Sequence, residues 1–268
     1  MSTRMSTIQT PAQPLRIETP AGVAEWRPLP WDSELFGMRA ARLDLLDASG
    51  PYAEARLRKR DLLASVLRQC RDTGVRHLSA RVSSGDLSTI HVLEEAGFEL
   101  LDGIQTLLML LDGFRTPAPP GTRLFEPGDL PQVLEIGRTA FIFDRFHADP
   151  ALTSAVADQV HESWTRNCCL GTAADAVVVA EQDGRVASFV TCRADGEKGI
   201  IVLVATAAWA RGRGAARRAS LAALHWFAGE ELKVVEVGSQ LSNVPAVRLY
   251  QDLGFRLAGT SFTFRKVL

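Results

Sequence analysis

The hexapeptide Arg211-Gly212-Arg213-Gly214-Ala215-Ala216 stands where an apolar run, GIIVLVAT from Gly199 to Thr206, gives way to the amphipathic stretch AARRASLAALHWF. Glycines at the mouth of a helix let the chain turn tightly and leave backbone N–H groups directed outward. Those donors, the positive end of the helix macrodipole and two arginines make an anion site suited to a pyrophosphate. A plain glycine-containing helix start with solvated arginines is the blander reading. The motif is not GxxxxGK[ST], so a P-loop is excluded. A dinucleotide fingerprint GxGxxG would need its third glycine at Arg217, and only about 50 residues follow, too few for two further βα units.

The elements that must position this loop are legible from periodicity. Runs AVVVAEQ (Ala176 to Gln182), VASFVTCRA (Val186 to Ala194) and GIIVLVAT, with an Asp183-Gly184 turn between the first two, predict an antiparallel meander. A long helix, the strand LKVVEVGSQ from Leu232, a short helix and a closing strand TSFTFRKVL follow, and Pro127 to Arg138 predicts a helix upstream. This order is α+β rather than alternating βαβ. The proline-rich stretch GFRTPAPPGTR, Gly113 to Arg123, favours an extended spacer. It divides the chain into residues 16–115 and 116–268, after an arm of residues 1–15.

Displacing the sequence by 157 residues lays Gly97-Phe98 on Gly254-Phe255 and brings a strand, a long helix, a strand, a short helix and a strand of each half into register. That predicts a structural duplication; the alternative is a grammar that any two α+β domains share. Under the same displacement Gly214, Asn243 and Tyr250 fall on Leu57, Asp86 and Leu93.

With 46% hydrophobic and 23% charged residues in 268, the chain can bury a large core, which excludes disorder and a coiled coil. A net charge of −1 and scattered arginines offer no field for nucleic acid, so the expected partner is a small molecule. Cys70, Cys168, Cys169 and Cys192 lack metal-ligand spacing and read as buried reduced thiols, with no metal expected. No apolar run reaches the ~18 residues of a membrane span, and the first residues lack the order of a signal peptide. These features predict a cytoplasmic protein.

Arg211, Gly214 and Ala216 fit the pattern [RQ]-x-x-G-x-[GA], and Asn243, Ala246, Tyr250, Gly254 and Phe255 fit N-x-x-A-x-x-x-Y-x-x-x-G-F. Through these two linked motifs the sequence resembles the GNAT superfamily of acyl-CoA-dependent N-acetyltransferases. LPWDSELFG (Leu29 to Gly37) and DRFHADP (Asp144 to Pro150) look like segments of its dTDP-fucosamine acetyltransferase branch, departing from them at Leu35 and at His147-Ala148-Asp149. The resemblance implies a mixed, mostly antiparallel twisted sheet flanked by helices, with a degenerate N-terminal copy in residues 16–115 and a catalytic domain in 116–268. It implies acetyl-CoA bound by the hexapeptide and by Asn243, with main-chain contacts from Val204, Ala205 and Thr206 inside a V-shaped gap, and an oxyanion donor at Val204 or Ala205. Tyr250 would protonate the departing thiolate. Trp31, Phe36, Arg145, His147 and Glu236 are the candidates for the acceptor side, Glu236 and His147 being weighed as general base against solvated or loop-anchoring roles.

The branch resemblance implies a nucleotide-linked amino sugar, dTDP-type, as acceptor. Two alternatives remain: another small amine such as an aminoglycoside or amino acid, and a non-catalytic CoA-binding scaffold. The closing strand, read as an exposed edge, offers a surface for a homodimer.

Overall fold

The computed structural model describes residues 13–268. Of the arm expected over residues 1–15, residues 1–12 lie outside the described residues, and Leu15 already opens a strand. The strands are β1 (Leu15–Thr19), β2 (Gly22–Pro28), β3 (Ala40–Ala48), β4 (His77–Ser83), β5 (Glu99–Leu110), β6 (Thr122–Leu124), β7 (Ala176–Gln182), β8 (Arg185–Asp195), β9 (Lys198–Thr206), β10 (Val234–Gln240) and β11 (Arg256–Val267). The helices are α1 (Pro30–Phe36), α2 (Tyr52–Asp72), α3 (Leu87–Glu95), α4 (Leu130–Ala140), α5 (Ser154–Cys169), α6 (Ala215–Gly229) and α7 (Val244–Asp252).

The chain forms two compact units that differ from the sequence halves. The first takes the residues up to Ile104, Arg145–Val156 and Thr260–Leu268, and the second takes Gln105–Asp144 and Ala157–Gly259. The closing strands are thus exchanged. β11 delivers its last residues to the first unit, where they pair antiparallel with β4 from Ser261↔Ser83 to Val267↔His77. The second half of β5 belongs to the second unit beside β10. β11 lies between β4 and β5 in the strand order, so it is no free edge, and the strand expected to pair across a dimer axis is already satisfied on both sides.

In the first unit α2 and α3 cover one sheet face, burying Ala24, Trp26, Leu43, Leu78, Ala80 and Phe264. Residues alternate across a strand, so the other face carries Arg27, Arg42, His77, Ser79, Arg81, Thr263 and Arg265. In the second unit both sheet faces are covered. α6 and α7 pack on Val178, Val190, Ile201, Val235 and Val237. α4 and the end of α5 pack on Val177, Val179, Phe189 and Leu203.

Moved by 157 residues, β4 coincides with β10, α3 with α7 and β5 with β11 to the residue. Gly97 and Gly254 end the two short helices at positive φ, 76° and 100°, a conformation that costs glycine little. Phe98 and Phe255 are buried after them. Asp86 and Asn243 cap the same two helices, accepting from Thr89 N–H at 3.1 Å and Ala246 N–H at 3.2 Å. β3 with β4 and β9 with β10 both pair in parallel.

Gly199 on β9 shows how tightly α6 is seated. A Cβ there would lie 2.5 Å from Cδ1 of Phe227, which is fully buried. Gly199→Ala is expected to destabilise the fold by about 1–3 kcal/mol through overpacking, read as a lowered thermal midpoint; an unchanged midpoint would mean that the ring shifts freely.

Candidate active site

The parallel ladder of β9 and β10 runs from Lys198↔Val234 to Ile201↔Val237 and stops, although the strands continue to Thr206 and Gln240. The cause lies on the opposite side of β9. Thr191 of β8 pairs with Leu203 and Cys192 with Ile201, leaving Val202 as an extra residue. Such a bulge bends its strand and increases the local twist. It also reverses which face each residue takes, which is why Ile201 packs in one core cluster and Leu203 in the other. β9 thereby parts from β10 over Leu203 to Thr206, forming the V.

Ala207 N–H donates to Ala187 C=O at 2.9 Å. Bonded pairs alternate in an antiparallel ladder, so Ala205, paired with Phe189, also turns its main chain to β8. Val204 and Thr206 turn theirs to the gap. Of the two donors the sequence offered for an oxyanion, the geometry favours Val204 over Ala205.

After β9, a short 3₁₀ turn (Ala208–Ala210) leads into the hexapeptide. Gly212 and Gly214 have φ of 74° and 77°, and a Cβ on either would meet no atom within 4 Å, so the backbone here faces open space. The first bond of α6 runs from Arg218 N–H to Gly214 C=O at 3.1 Å, leaving the amides of Ala215, Ala216 and Arg217 as the free donors of the helix start. Arg211 and Arg213 are exposed beside them. A cradle of open amides with flanking guanidiniums fits the diphosphate of CoA, and the splayed strands fit an amide-bearing arm.

Tyr250, on α7, is buried with its ring centroid 5.7 Å from that of Phe255. Burial alone pushes its phenol still further above an ordinary value that already lies well above neutral pH. Asn243 stands at the start of the same helix, its Oδ1 accepting the cap bond from Ala246 N–H.

The acetyltransferase (GNAT) family matches residues 139–255, which include the bulged strand, the open cradle and Tyr250. Residues 139–255 are a GNAT acetyltransferase domain. The chain is accordingly an N-acetyltransferase, and its mixed open sheet flanked by helices is that of the family. Over 227 residues it is 26% identical to the spore coat polysaccharide biosynthesis protein SpsD of Bacillus subtilis, covering 84% of this chain and 76% of that one. Over 244 residues it is 22% identical to a dTDP-fucosamine acetyltransferase of Escherichia coli O6:H1, covering 89% and 96%. A GCN5-related N-acetyltransferase from Sphaerobacter thermophilus shares the fold with a TM-score of 0.62 at 18% identity, over 92% of this chain and 80% of that one.

Of the remaining acceptor candidates, Glu236 belongs to the second unit and Trp31, Phe36, Arg145 and His147 to the first. Glu236 sits on the paired stretch of β10, below the splay, and accepts from Lys198 Nζ at 2.9 Å, so its carboxylate is already engaged. Trp31 and Phe36 lie on α1, and Arg145 and His147 on the segment Arg145–Val156 of the first unit. Phe36 and Arg145 do come together, lining a small cavity with Asp32, His77, Ser79 and Asp149. Trp31 and His147 are not in its lining.

Phe36 meets His77 edge-on at 5.2 Å, and His77 Nε2 lies 2.7 Å from Asp149 Oδ2. Burial opposes ionisation of Asp149, but His77, the Ala151 N–H and nearby Arg265 outweigh it and hold the carboxyl below its usual range. This network anchors DRFHADP to β4 and β11. Sequence reasoning missed it because His77, Asp149 and Arg265 are far apart in the chain and carry no shared motif. The Val202 bulge was equally silent, since an extra residue in a strand leaves no residue-type signature.

All four cysteines are free. Burial pushes the thiols of Cys70, Cys168 and Cys169 up to about 12, which keeps them unreactive. Among the described residues no helix is long and apolar enough to cross a membrane.

Proposed function

We propose that this GNAT protein transfers an acetyl group from acetyl-CoA to the amino group of a nucleotide-linked, dTDP-type amino sugar. The observation that carries the acceptor class is the alignment with a dTDP-fucosamine acetyltransferase over 89% of the chain, well beyond the GNAT domain itself. Acetyl-CoA supplies the activated acetyl group as a thioester. The amides of Ala215, Ala216 and Arg217, with Arg211 and Arg213, hold the diphosphate, Gly212 and Gly214 keeping the approach open. Thr206, Val204 and Asn243 align the arm. Val204 N–H faces the gap as the donor for a developing oxyanion, and Tyr250 Oη holds the proton for the sulfur that leaves.

The residue-level coincidence of β4, α3 and β5 with β10, α7 and β11 supports a duplication in which the first copy has lost this site. Where Asn243 stands in the second copy, Asp86 is bonded to the buried ammonium of Lys59 at 3.0 Å. That ammonium also donates to Ser88 and Thr89, both at 2.9 Å. The first copy is thereby plugged from within. The same reading assigns a cytoplasmic setting, in which four free thiols remain reduced.

The test is CoA thiol release across dTDP-amino sugars, free amino sugars, aminoglycosides and amino acids. Release with the dTDP-amino sugar is expected; release with free amines alone would overturn the acceptor class.

A further inference from the structure

Three arginines of the first unit converge on the sheet face that α2 and α3 leave uncovered. Arg42 of β3 pairs with Ser79 of β4, and Arg81 lies two residues further along β4 on the same face. Arg145 borders the cavity to which Ser79 also contributes. Arg42 donates to Asp44 at 2.6 Å. Arg145 lies 3.8 Å from Asp32 and 4.5 Å over the Phe146 ring.

Arg81 differs from both. It is reachable by solvent, yet no hydrogen bond or ion pair holds it among the described residues. Crowding by protein atoms, together with repulsion from Arg145 and Arg42, pulls its guanidinium down to about 10 against the attraction of Asp102. Asp102 does not pair with it: both carboxylate oxygens are buried without a hydrogen-bond partner. Across the β4–β11 ladder, Thr263 stands opposite Arg81 with a buried hydroxyl that also lacks a partner. A buried polar atom left alone in a native fold asks for an occupant.

Arg81 presents donors that no protein group takes, beside two like charges, a setting that a multiply charged oxyanion complements. The carboxylates on this face do not cancel the cluster. Asp44 is shared between Arg42 and Arg27. Asp32 faces Arg145 at 3.8 Å, and burial raises its carboxyl with Arg145 opposing. Arg81 lies two residues beyond the β4 partner of Arg42, so both side chains leave the same sheet face.

We infer that this arginine face binds the diphosphate of a nucleoside-diphosphate acceptor, Arg81 offering the open fork and Arg42 and Arg145 the flanking charge. The inference rests on the nucleotide-linked acceptor proposed above and assigns its recognition to the first unit.

Isothermal titration of the full chain with dTDP, dTMP and thymidine, at saturating CoA so that the α6 cradle is filled, tests it. dTDP is expected to bind more tightly than dTMP, and thymidine weakest. Arg81→Gln should weaken dTDP about tenfold or more, the loss of a charge-assisted contact, with Arg81→Lys between the two and Arg42→Gln weakened in the same direction. Added salt should weaken the wild type more steeply than Arg81→Gln. In turnover, KM for the dTDP-amino sugar should rise while KM for acetyl-CoA holds. Equal dTDP affinity in wild type and Arg81→Gln, or no dTDP binding at all, overturns the inference. Turnover of a dTDP-amino sugar with an unchanged KM in Arg81→Gln likewise overturns it and leaves the acceptor class standing. Arg81-dependent dTDP binding in a protein that acetylates free amines alone would instead overturn the acceptor class and leave the anion site.

Discussion

Tyr250→Phe is expected to lower kcat by about 100-fold or more, within the range for loss of a positioned general acid, while acetyl-CoA affinity stays within a few-fold. The substitution removes one oxygen from a ring that packs on Phe255, so the apolar cluster around α7 is kept. A phenol is protonated throughout the neutral range at its ordinary value, and burial raises that value further. The alkaline limb of the pH–rate profile should therefore not move when Tyr250 is lost. Steady-state kinetics with a thiol readout, alongside CoA titration, separates the two effects. An unchanged kcat would remove Tyr250 from the mechanism; a matching loss of CoA affinity would make it a binding residue.

The second large effect falls on stability. Asp86→Ala removes the α3 cap and strands the Lys59 ammonium, which is 4% exposed. Breaking a buried pair costs about 3–5 kcal/mol. The Asp86 side chain is 35% exposed, so solvent screening brings the expectation to about 3 kcal/mol.

The acid dependence of this contribution has a definite sign. Burial opposes ionisation of Asp86, but bonds from the Thr89 hydroxyl and N–H, Lys59 and Ser88 prevail and lower its pKa to about 2. A carboxyl depressed in the folded state stabilises above its unfolded pKa of about 4, and the contribution is lost as pH falls from there through about 2. Urea denaturation from pH 6 down to pH 2 should show wild type and Asp86→Ala converging over that interval. Parallel curves would mean that the ion pair contributes nothing, while Lys59→Met should recover part of the loss in the Asp86→Ala background by removing the stranded charge.

The local elements were legible because each is written in short-range chemistry. β7 appears at the bounds that its alternation and the Asp183-Gly184 turn announce, and α6 starts at the glycine that opens the cradle. The helix expected from Pro127 opens as a 3₁₀ turn over Pro127–Asp129, and α4 proper begins at Leu130. Its first residues bend because Asp129 reaches back to the Glu126 N–H at 2.8 Å. The internal 157-residue register was equally visible, since a glycine stop and a buried phenylalanine recur at matching positions.

By itself, then, the sequence determined the glycine-opened start of α6, the two linked motifs, the α+β order and the 157-residue register, all of which depend on neighbours a few residues apart or on a fixed displacement. Only the tertiary structure decided the rest. The exchange of β5 and β11 depends on which strands find each other across the whole chain, and a closing strand that reads as an edge looks the same alone as when paired. The splay at Val202 arises from a one-residue mismatch between β8 and β9, which neither strand carries in its own composition. The isolation of Arg81 depends on what is absent around it, and a missing partner is a property of packing in three dimensions.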